Sequence, residues 1–230
     1  MSLWAYFLDN QGETIHKCTH YFPIYEKMFQ HWRNKSLVFL EIGVGKGGSL
    51  KMWQKYFGPN AKIVGIDVNP ECKRYESPGI FVRIGDQGDQ EFLASVVAEF
   101  GVPDIVLDDG SHKCIDIMRS FSFFYPLMGK NAVYMVEDLQ TAYWEEYGGG
   151  LYHPDSFIEF VKKCIDSLNA DSSRGQVKPD LITRQTFGIH IYDGIVCFEK
   201  GEVYWKDATM TGYSHHEPIV TNRFFYEKDT

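Results

Sequence analysis

Four short apolar runs in the first 140 residues each end in one or two carboxylates. Residues 37–40 precede Glu41, residues 63–66 precede Asp67, residues 105–107 precede Asp108-Asp109, and residues 132–136 precede Glu137-Asp138. Short β-branched apolar runs separated by helix-length segments are typical of the buried parallel strands of an α/β sheet. Ligands of open sheets bind at the carboxyl ends of the strands, so we expect these acids to face one pocket. Such a rim suits a metal, a cationic ligand or polyol hydroxyls, and it repels a bare phosphate.

The alternation of strands and helices extends over most of the chain. We predict strands over 37–42, 62–67, 80–84, 104–108 and 131–137, and helices over 21–32, 47–57, 89–100, 111–125 and 155–168. Residues 1–20 are expected to be partly irregular, and residues 171–180 are expected to form a polar loop. Asp193-Gly194 separates two alternating apolar runs, which predicts a β-hairpin over 187–199.

These elements predict a single α/β domain over residues 1–230. Within this domain, residues 1–36 are expected to form an N-terminal helical segment. The expected fold is Rossmann-like: a mostly parallel seven-stranded sheet ends in an antiparallel hairpin and carries helices on both faces. The last 30 residues, which include Trp205, are too aromatic for a disordered tail. His215-His216 in this segment lack further ligands nearby, and we interpret them as surface residues.

Composition excludes several classes of function. The net charge of -8 argues against nucleic-acid and membrane-surface binding, since both need basic patches. The five cysteines lie far apart without a C-x-x-C pair, which favours reduced thiols over disulfides or a zinc site. The N-terminus lacks the features of a signal peptide, and no apolar run approaches the ~18 residues of a membrane span. We therefore expect a cytoplasmic protein that acts on a small molecule.

The first predicted strand runs into a glycine-rich loop over 43–48. The spacing Gly43-x-Gly45-x-x-Gly48 matches the dinucleotide fingerprint, and Asp67 lies near the distance of about 20 residues expected for a ribose-binding acid. A bare strand-to-helix turn without a ligand is the simpler alternative. Glu41 beside the loop disfavours a pyrophosphate and stabilises a sulfonium or ammonium.

The pattern Glu41-x-Gly43-x-Gly45-x-Gly47 resembles the first motif of class I S-adenosylmethionine-dependent methyltransferases. The resemblance implies that Asp67 holds the ribose hydroxyls and that Gly85-Asp86-Gln87 supplies the adenine-binding position. The cofactor-binding set it implies is Glu41, Gly43, Gly45, Ser49, Asp67, Asp86, Gln87, Asp108 and Tyr21.

A second cluster of acids follows the fourth and fifth predicted strands. Capping a helix needs one such residue, and Ser111 suits that role, so adjacent acids on two strands need another explanation. Carboxylates that converge at strand ends form a hard oxygen site suited to Mg²⁺. His112 follows Asp109 by three residues and is a candidate general base, although a lone histidine is ordinarily a packing or surface residue.

Motifs over 40–50, 107–112 and 136–141 resemble the macrolide-sugar O-methyltransferases of the mycinamicin and macrocin type. This resemblance covers roughly residues 15–147 and implies Mg²⁺ held by Asp109, Glu137 and Asp138. It also implies His112 as the base, acting beside Asp109, and in-line methyl transfer to a sugar hydroxyl. Members of that branch can carry a further N-terminal domain, for which we expect no counterpart in 230 residues. Beyond Gly150 the resemblance ends, so it does not identify the acceptor.

We therefore expect a Mg²⁺-dependent O-methyltransferase that acts on a sugar hydroxyl in polysaccharide or natural-product biosynthesis. Residues 141–155 combine aromatic residues with three glycines and are expected to form a substrate lid, unless the aromatics simply pack on the protein body. A metal-dependent catechol or phenol O-methyltransferase is the first alternative. A relative that keeps the fold without transferring methyl groups is the second. A homo-oligomer is compatible with the sequence.

Overall fold

The computed structural model describes residues 1–204, which form one seven-stranded sheet flanked by helices. Its strands are β1 Leu37–Ile42, β2 Ala61–Asp67, β3 Ile80–Ile84, β4 Ile105–Asp108, β5 Val133–Val136, β6 Thr186–Tyr192 and β7 Ile195–Lys200. The strand order is β3-β2-β1-β4-β5-β7-β6. Strands β1 to β5 pair in parallel, whereas β7 is antiparallel to both β5 and β6. The predicted fold class is confirmed.

Helices cover both faces of the sheet. They are α1 Leu3–Leu8, α2 Phe22–Phe29, α3 Gly48–Phe57, α4 Gln90–Phe100, α5 Cys114–Leu127, α6 Phe157–Leu168 and α7 Leu181–Gln185. Helices α1 to α3 bury their apolar sides in one core, and α4 to α7 contribute to a second core on the opposite face. Because both faces are buried, the central strands are apolar almost throughout, as parallel strands in such sheets are.

The core beneath the site contains a compact group of aromatic side chains. Trp53 on α3 is fully buried, and its ring centroid lies 5.1 Å from that of Phe39 on β1 and 5.8 Å from that of Phe29 on α2. Burying one large aromatic side chain stabilises a fold by about 1.5–3 kcal/mol. These contacts therefore fix α3, and with it the glycine loop, against the sheet.

Helix α5 begins three residues later than the sequence predicts. His112 has a left-handed backbone (φ 59°) and Lys113 is extended (ψ 129°), so the helix starts only at Cys114. The Ser111 hydroxyl accepts a bond from the Lys113 N–H and donates one to Asp116. Ser111 thus stabilises the turn before the helix, and His112 lies in that turn instead of in the first helical turn.

Helix α2 differs from its predicted bounds, and helix α7 lies where the sequence predicts no element. Helix α2 is shorter than predicted, because short 3₁₀ turns over Thr19–Tyr21 and Gln30–Trp32 replace its ends. Helix α7 follows the predicted polar loop and is stabilised by a capping box, in which the Asp180 carboxylate accepts from the Thr183 N–H and the Thr183 hydroxyl accepts from the Asp180 N–H. The hairpin of β6 and β7 turns at Asp193-Gly194, as predicted.

All five cysteines are free, in agreement with the prediction of reduced thiols. Within residues 1–204, no helix is both long and apolar enough to cross a membrane. The predictions for Trp205 and His215-His216 concern residues outside the described part of the chain.

Candidate active site

A cavity of about 510 Å³ lies at the carboxyl ends of the parallel strands. The turns after β1, β4 and β5 and the end of β2 line its walls, and residues 14–18, between α1 and α2, close its remaining side. The four carboxylate-ending strands therefore meet at one site, as the sequence predicts.

Asp67, at the end of β2, contacts the glycine loop and lines the cavity. Its Oδ2 accepts bonds from the N–H groups of Val44 and Gly45, at 2.9 and 3.0 Å. Its Oδ1 accepts from the Asn69 N–H at 2.8 Å. Gly45 is exposed, with open space where a Cβ would stand. Asp67 thus shapes the loop whose backbone faces the cavity.

Gly43 allows the turn after β1 to pack against the turn after β4. Its φ is 92°, and a Cβ at this position would lie 2.0 Å from the carbonyl oxygen of Asp109. Any larger residue would therefore push the two turns apart. The sequence predicts that this glycine lets a ligand approach, and the structure adds that it brings Asp109 close to the glycine loop.

Glu41 lies behind the loop and is fully buried. Its Oε2 accepts from the Ser49 hydroxyl at 2.7 Å, and its Oε1 accepts from the Trp53 indole at 3.2 Å. Burial raises the pKa of Glu41, while the Lys17 ammonium 3.4 Å away acts in the opposite direction. Ser49 lines the cavity and donates to Glu41, so these two predicted cofactor residues form one hydrogen-bonded pair.

Asp108 and Gln87 form a buried network beneath the turn after β4. Asp108 accepts bonds from Ser120 at 2.6 Å, Tyr134 at 2.8 Å and Gln87 at 3.0 Å. The Gln87 amide oxygen accepts from the Ser111 N–H at 2.7 Å. The network thus holds the turn that carries the catalytic candidates.

Asp86 lies on the exposed turn after β3, where its carboxylate accepts from the Gly88 N–H at 2.7 Å. The described residues that line the cavity include neither Asp86 nor Gln87 nor Asp108. A role of these three residues in cofactor binding stays a prediction.

The Asp108 carboxyl is expected to make stability depend on pH. Burial raises the pKa of Asp108 to about 6, although the hydrogen bonds that its carboxylate accepts act to lower it. Between about pH 4 and 6 the folded state then binds a proton that the unfolded state has lost, so the free energy of unfolding falls as pH rises. We expect this component to amount to about 3 kcal/mol. Chemical unfolding at a series of pH values measures it.

Two variants isolate this contribution. Asp108→Asn should lack the decrease, whereas Asp89→Asn should keep it, because asparagine caps helix α4 as well as aspartate does. The same pH dependence in wild type and Asp108→Asn would show that Asp108 titrates normally in the folded protein.

Asp109, His112 and Asp138 converge on one side of the cavity, which we call the metal side after the predicted ligands Asp109 and Asp138. One ligand atom from each lies within 4.8 Å of the others. The His112 Nε2 is 3.9 Å from an oxygen of each aspartate. His112 and Asp138 both have left-handed backbones, with φ of 59° and 54°. Such conformations cost non-glycine residues about 1–3 kcal/mol each and are concentrated at functional sites.

Glu137, the third predicted metal ligand, is buried and already hydrogen-bonded. Its Oε1 accepts from the Tyr25 hydroxyl at 2.7 Å, and its Oε2 accepts from the Lys17 ammonium at 3.1 Å. Burial raises the pKa of Glu137, while the Lys17 ammonium acts in the opposite direction. Its role as a ligand stays a prediction.

Lys17 is the residue at this site that sequence reasoning missed. Its side chain is 3% exposed, and its Nζ lies 2.6 Å from Asp109, 3.1 Å from Glu137 and 3.4 Å from Glu41. Burial alone lowers the pKa of Lys17, but the three carboxylates outweigh it and hold the pKa well above its usual range. No local pattern indicates this contact, because Lys17 precedes Asp109 by 92 residues and Glu137 by 120.

Tyr21 supports the metal side of the cavity. Its hydroxyl donates to Asp138 Oδ1 at 2.9 Å, and burial raises the pKa of Tyr21, which keeps the donated proton in place. Gly194, in the hairpin turn with φ 72°, allows this position, because a Cβ there would lie 2.4 Å from the Tyr21 hydroxyl. The predicted hairpin and the predicted site are therefore in direct contact.

The residues present fit a hard divalent cation. Asp109 and Asp138 offer carboxylate oxygens close together, and His112 offers one nitrogen. Lys17 supplies one positive charge beside the carboxylates of Asp109, Glu137 and Glu41. Mg²⁺ prefers a few carboxylate ligands completed by water or substrate oxygens.

Comparison with known proteins supports the resemblance found in the sequence. No family model matches the chain. Mycinamicin VI 2''-O-methyltransferase of Micromonospora griseorubida is 33% identical over 198 residues, which cover 79% of this chain and 48% of that protein. Demethylmacrocin O-methyltransferase of Streptomyces fradiae is 35% identical over 214 residues, which cover 86% of this chain and 52% of that protein.

A solved structure of MycE methyltransferase from the mycinamycin biosynthetic pathway, in complex with Mg, SAH and mycinamycin VI, matches with a TM-score of 0.75. It is 31% identical, and the match covers 86% of this chain and 52% of that chain. The fold of this chain is the class I methyltransferase fold. The chain spans about half the length of the curated relatives it matches. Its predicted resemblance to the macrolide-sugar branch of the family is confirmed.

Proposed function

We propose that this protein is a Mg²⁺-dependent O-methyltransferase that uses S-adenosylmethionine to methylate a sugar hydroxyl in natural-product or polysaccharide biosynthesis. The observation that carries the proposal is the convergence of Asp109, His112 and Asp138 beside a glycine-loop cavity. The named sugar O-methyltransferases that share about a third of its residues support the same class of acceptor.

S-adenosylmethionine would supply a methyl group on a positively charged sulfur, and Mg²⁺ would polarise the acceptor hydroxyl and help to orient it. Asp67 and the backbone of the glycine loop bind the cofactor. Asp109 and Asp138, with Glu137 as the further candidate, hold the metal. His112 accepts the hydroxyl proton at Nε2, and the carboxylates at 3.9 Å stabilise the imidazolium that forms.

Residues 141–155 are proposed to cover the acceptor. Tyr143 and Trp144 are exposed, and the Tyr147 ring centroid lies 6.3 Å from that of His112. Tyr147 beside the proposed base, and Trp144 with its ring centroid 5.9 Å from that of Tyr147, can stack on a sugar ring. The backbone of Gly149 and Gly150 donates to the carbonyls of residues 144 and 142, so the segment starts from an ordered conformation.

Asp67→Ala is expected to weaken S-adenosylmethionine binding by about 1.5–3 kcal/mol, the range for charge-assisted hydrogen bonds. Asp67 contributes in two ways, since it faces the cavity and holds the N–H groups of Val44 and Gly45. Calorimetry on the folded variant measures the loss. Asp67→Asn retains one acceptor for the loop and should lose less. Unchanged affinity in Asp67→Ala would remove this residue from the cofactor site.

A screen of acceptors tests the proposed activity directly. The purified protein is incubated with S-adenosylmethionine, Mg²⁺ and panels of glycosides, nucleotide sugars and catechols, and products are identified by the mass gain of one methyl group. Methylation of a glycoside or a nucleotide sugar supports the proposal. Methylation of catechols alone would support the phenolic alternative. Absence of S-adenosylmethionine binding, or tightly bound NAD in the purified protein, would overturn the methyltransferase assignment.

A further inference from the structure

We propose that Lys17 and a divalent cation compete for the Asp109 and Glu137 carboxylates, so that binding of the metal expels Lys17 from the cluster. This inference rests on the proposed metal-dependent function. It assigns to the segment between α1 and α2 a role in setting metal affinity.

The Lys17 ammonium contacts two of the three carboxylates that are predicted to hold the metal. It lies 2.6 Å from Asp109 Oδ2 and 3.1 Å from Glu137 Oε2. The other oxygen of Glu137 accepts from the Tyr25 hydroxyl at 2.7 Å, so both Glu137 oxygens are already engaged. A cation that binds Glu137 therefore either shares an oxygen with one of these two donors or replaces that donor.

Sharing is unfavourable for two reasons. Mg²⁺ binds oxygen at about 2.0–2.1 Å, which would place it in direct contact range of an ammonium on the same oxygens. Lys17 is 3% exposed and Glu137 is buried, so little solvent screens the repulsion between the two cations. The tyrosine donor carries no charge and does not repel a metal. Both Glu137 oxygens belong to one carboxylate, so a metal on either of them lies close to the ammonium on Oε2, and Lys17 is the group that leaves.

The segment that carries Lys17 forms one wall of the cavity. Residues 14–18 line it, and the segment is tethered a second time where Lys51 of α3 contacts Glu13 at 2.6 Å. Loss of the Lys17 contacts would release the inner tether and leave the outer one. Linkage is reciprocal. The factor by which the bound metal weakens the Lys17 contacts therefore equals the factor by which those contacts lower the affinity for the metal.

Calorimetric titration with Mg²⁺ compares wild type with Lys17→Met and Lys51→Met. Lys17→Met leaves the buried carboxylates without their cation, so we expect it to bind Mg²⁺ about tenfold more tightly or better. Lys51→Met removes the outer tether of the same segment without touching the cluster, and its affinity should stay within about twofold of wild type. Comparison of the two variants separates the effect of the lost charge from the effect of loosening the segment of residues 14–18.

Chemical labelling of the wild-type protein tests the same inference without relying on a variant that could fail to fold. An amine-acylating reagent is applied with and without Mg²⁺, and labelling of each lysine is read by peptide mass spectrometry. We expect Lys17 to be protected from the reagent in the absence of Mg²⁺. In the presence of Mg²⁺ it should react about tenfold faster, because its ammonium is then freed from a buried ion pair. Lys51, which is 43% exposed, serves as the internal reference.

The outcomes distinguish this inference from the proposed function. Equal or weaker Mg²⁺ affinity in Lys17→Met, or Lys17 that stays protected at saturating Mg²⁺, would overturn the competition and leave the metal site intact. In that case Asp109 and Asp138 hold the metal beside an ammonium that stays in place. If neither wild type nor Lys17→Met binds Mg²⁺, the proposed metal dependence itself fails, and the competition fails with it.

Discussion

Replacement of His112 by glutamine is expected to lower kcat by roughly 10²–10⁴ at saturating Mg²⁺, the range for loss of a general base. A sugar hydroxyl holds its proton tightly, so the reaction needs both an acceptor for that proton and a cation that polarises the oxygen. His112 lines the cavity with its Nε2 3.9 Å from both aspartates, and a left-handed backbone directs it there instead of into helix α5. Steady-state kinetics with the acceptor identified by the screen measure the effect.

Metal affinity separates the two roles open to His112. If His112 is the base, His112→Gln should bind Mg²⁺ about as tightly as wild type while kcat falls. A parallel fall in Mg²⁺ affinity would instead make the imidazole a ligand. His31→Gln is the matched control, since this exposed histidine does not line the cavity. Near-normal kcat in His112→Gln would transfer the role of base to a carboxylate such as Asp109.

Removal of divalent cations with EDTA is expected to abolish turnover, and added Mg²⁺ is expected to restore it. Binding of S-adenosylmethionine should survive largely intact, because Asp67 and the glycine loop are stabilised by their own hydrogen bonds. Activity assays and calorimetry on the same EDTA-treated sample measure both quantities. Undiminished turnover without divalent cations would refute the metal dependence.

Asp138→Asn tests the metal site by replacing one carboxylate oxygen of a predicted ligand with an amide nitrogen. Asparagine tolerates the left-handed backbone that Asp138 adopts, so the turn should persist. We expect Mg²⁺ to bind about 10²-fold more weakly or worse, since loss of even an outer partner of a metal ligand costs 10–100-fold. Asp89→Asn, in the N-cap of α4, should bind Mg²⁺ as wild type does. Unchanged affinity in Asp138→Asn would exclude Asp138 as a ligand.

The strands could be predicted because strands that are buried on both faces consist almost entirely of apolar residues. Strands β1 and β3 have the predicted bounds, since apolar residues occupy nearly every position of β1 and turn residues flank both runs. Helix boundaries were less predictable. The start of α5 depends on the backbone of His112 and Lys113, which the residues of the turn after β4 determine through contacts with Gln87.

The acidic residues of the site could be predicted from the sequence, but its lysine could not. Parallel strands place their carboxyl ends at one edge, so Asp67, Asp109 and Asp138 could be assigned to one cavity from sequence. Lys17 could not, because it lies in an irregular segment whose path is determined by α1, α2 and the outer contact with Lys51.

By itself the sequence determined the sheet, its terminal hairpin and the carboxylate rim, because periodicity and strand ends are local properties of the chain. The tertiary structure decided which carboxylates face the cavity and which are engaged by the protein. Glu41 lies one residue before the end of β1 and Asp108 ends β4, just as Asp67 ends β2, yet Glu41 and Asp108 are buried and bound by side chains from other elements. That outcome depends on contacts between residues distant in the sequence, and only the folded chain brings those residues together.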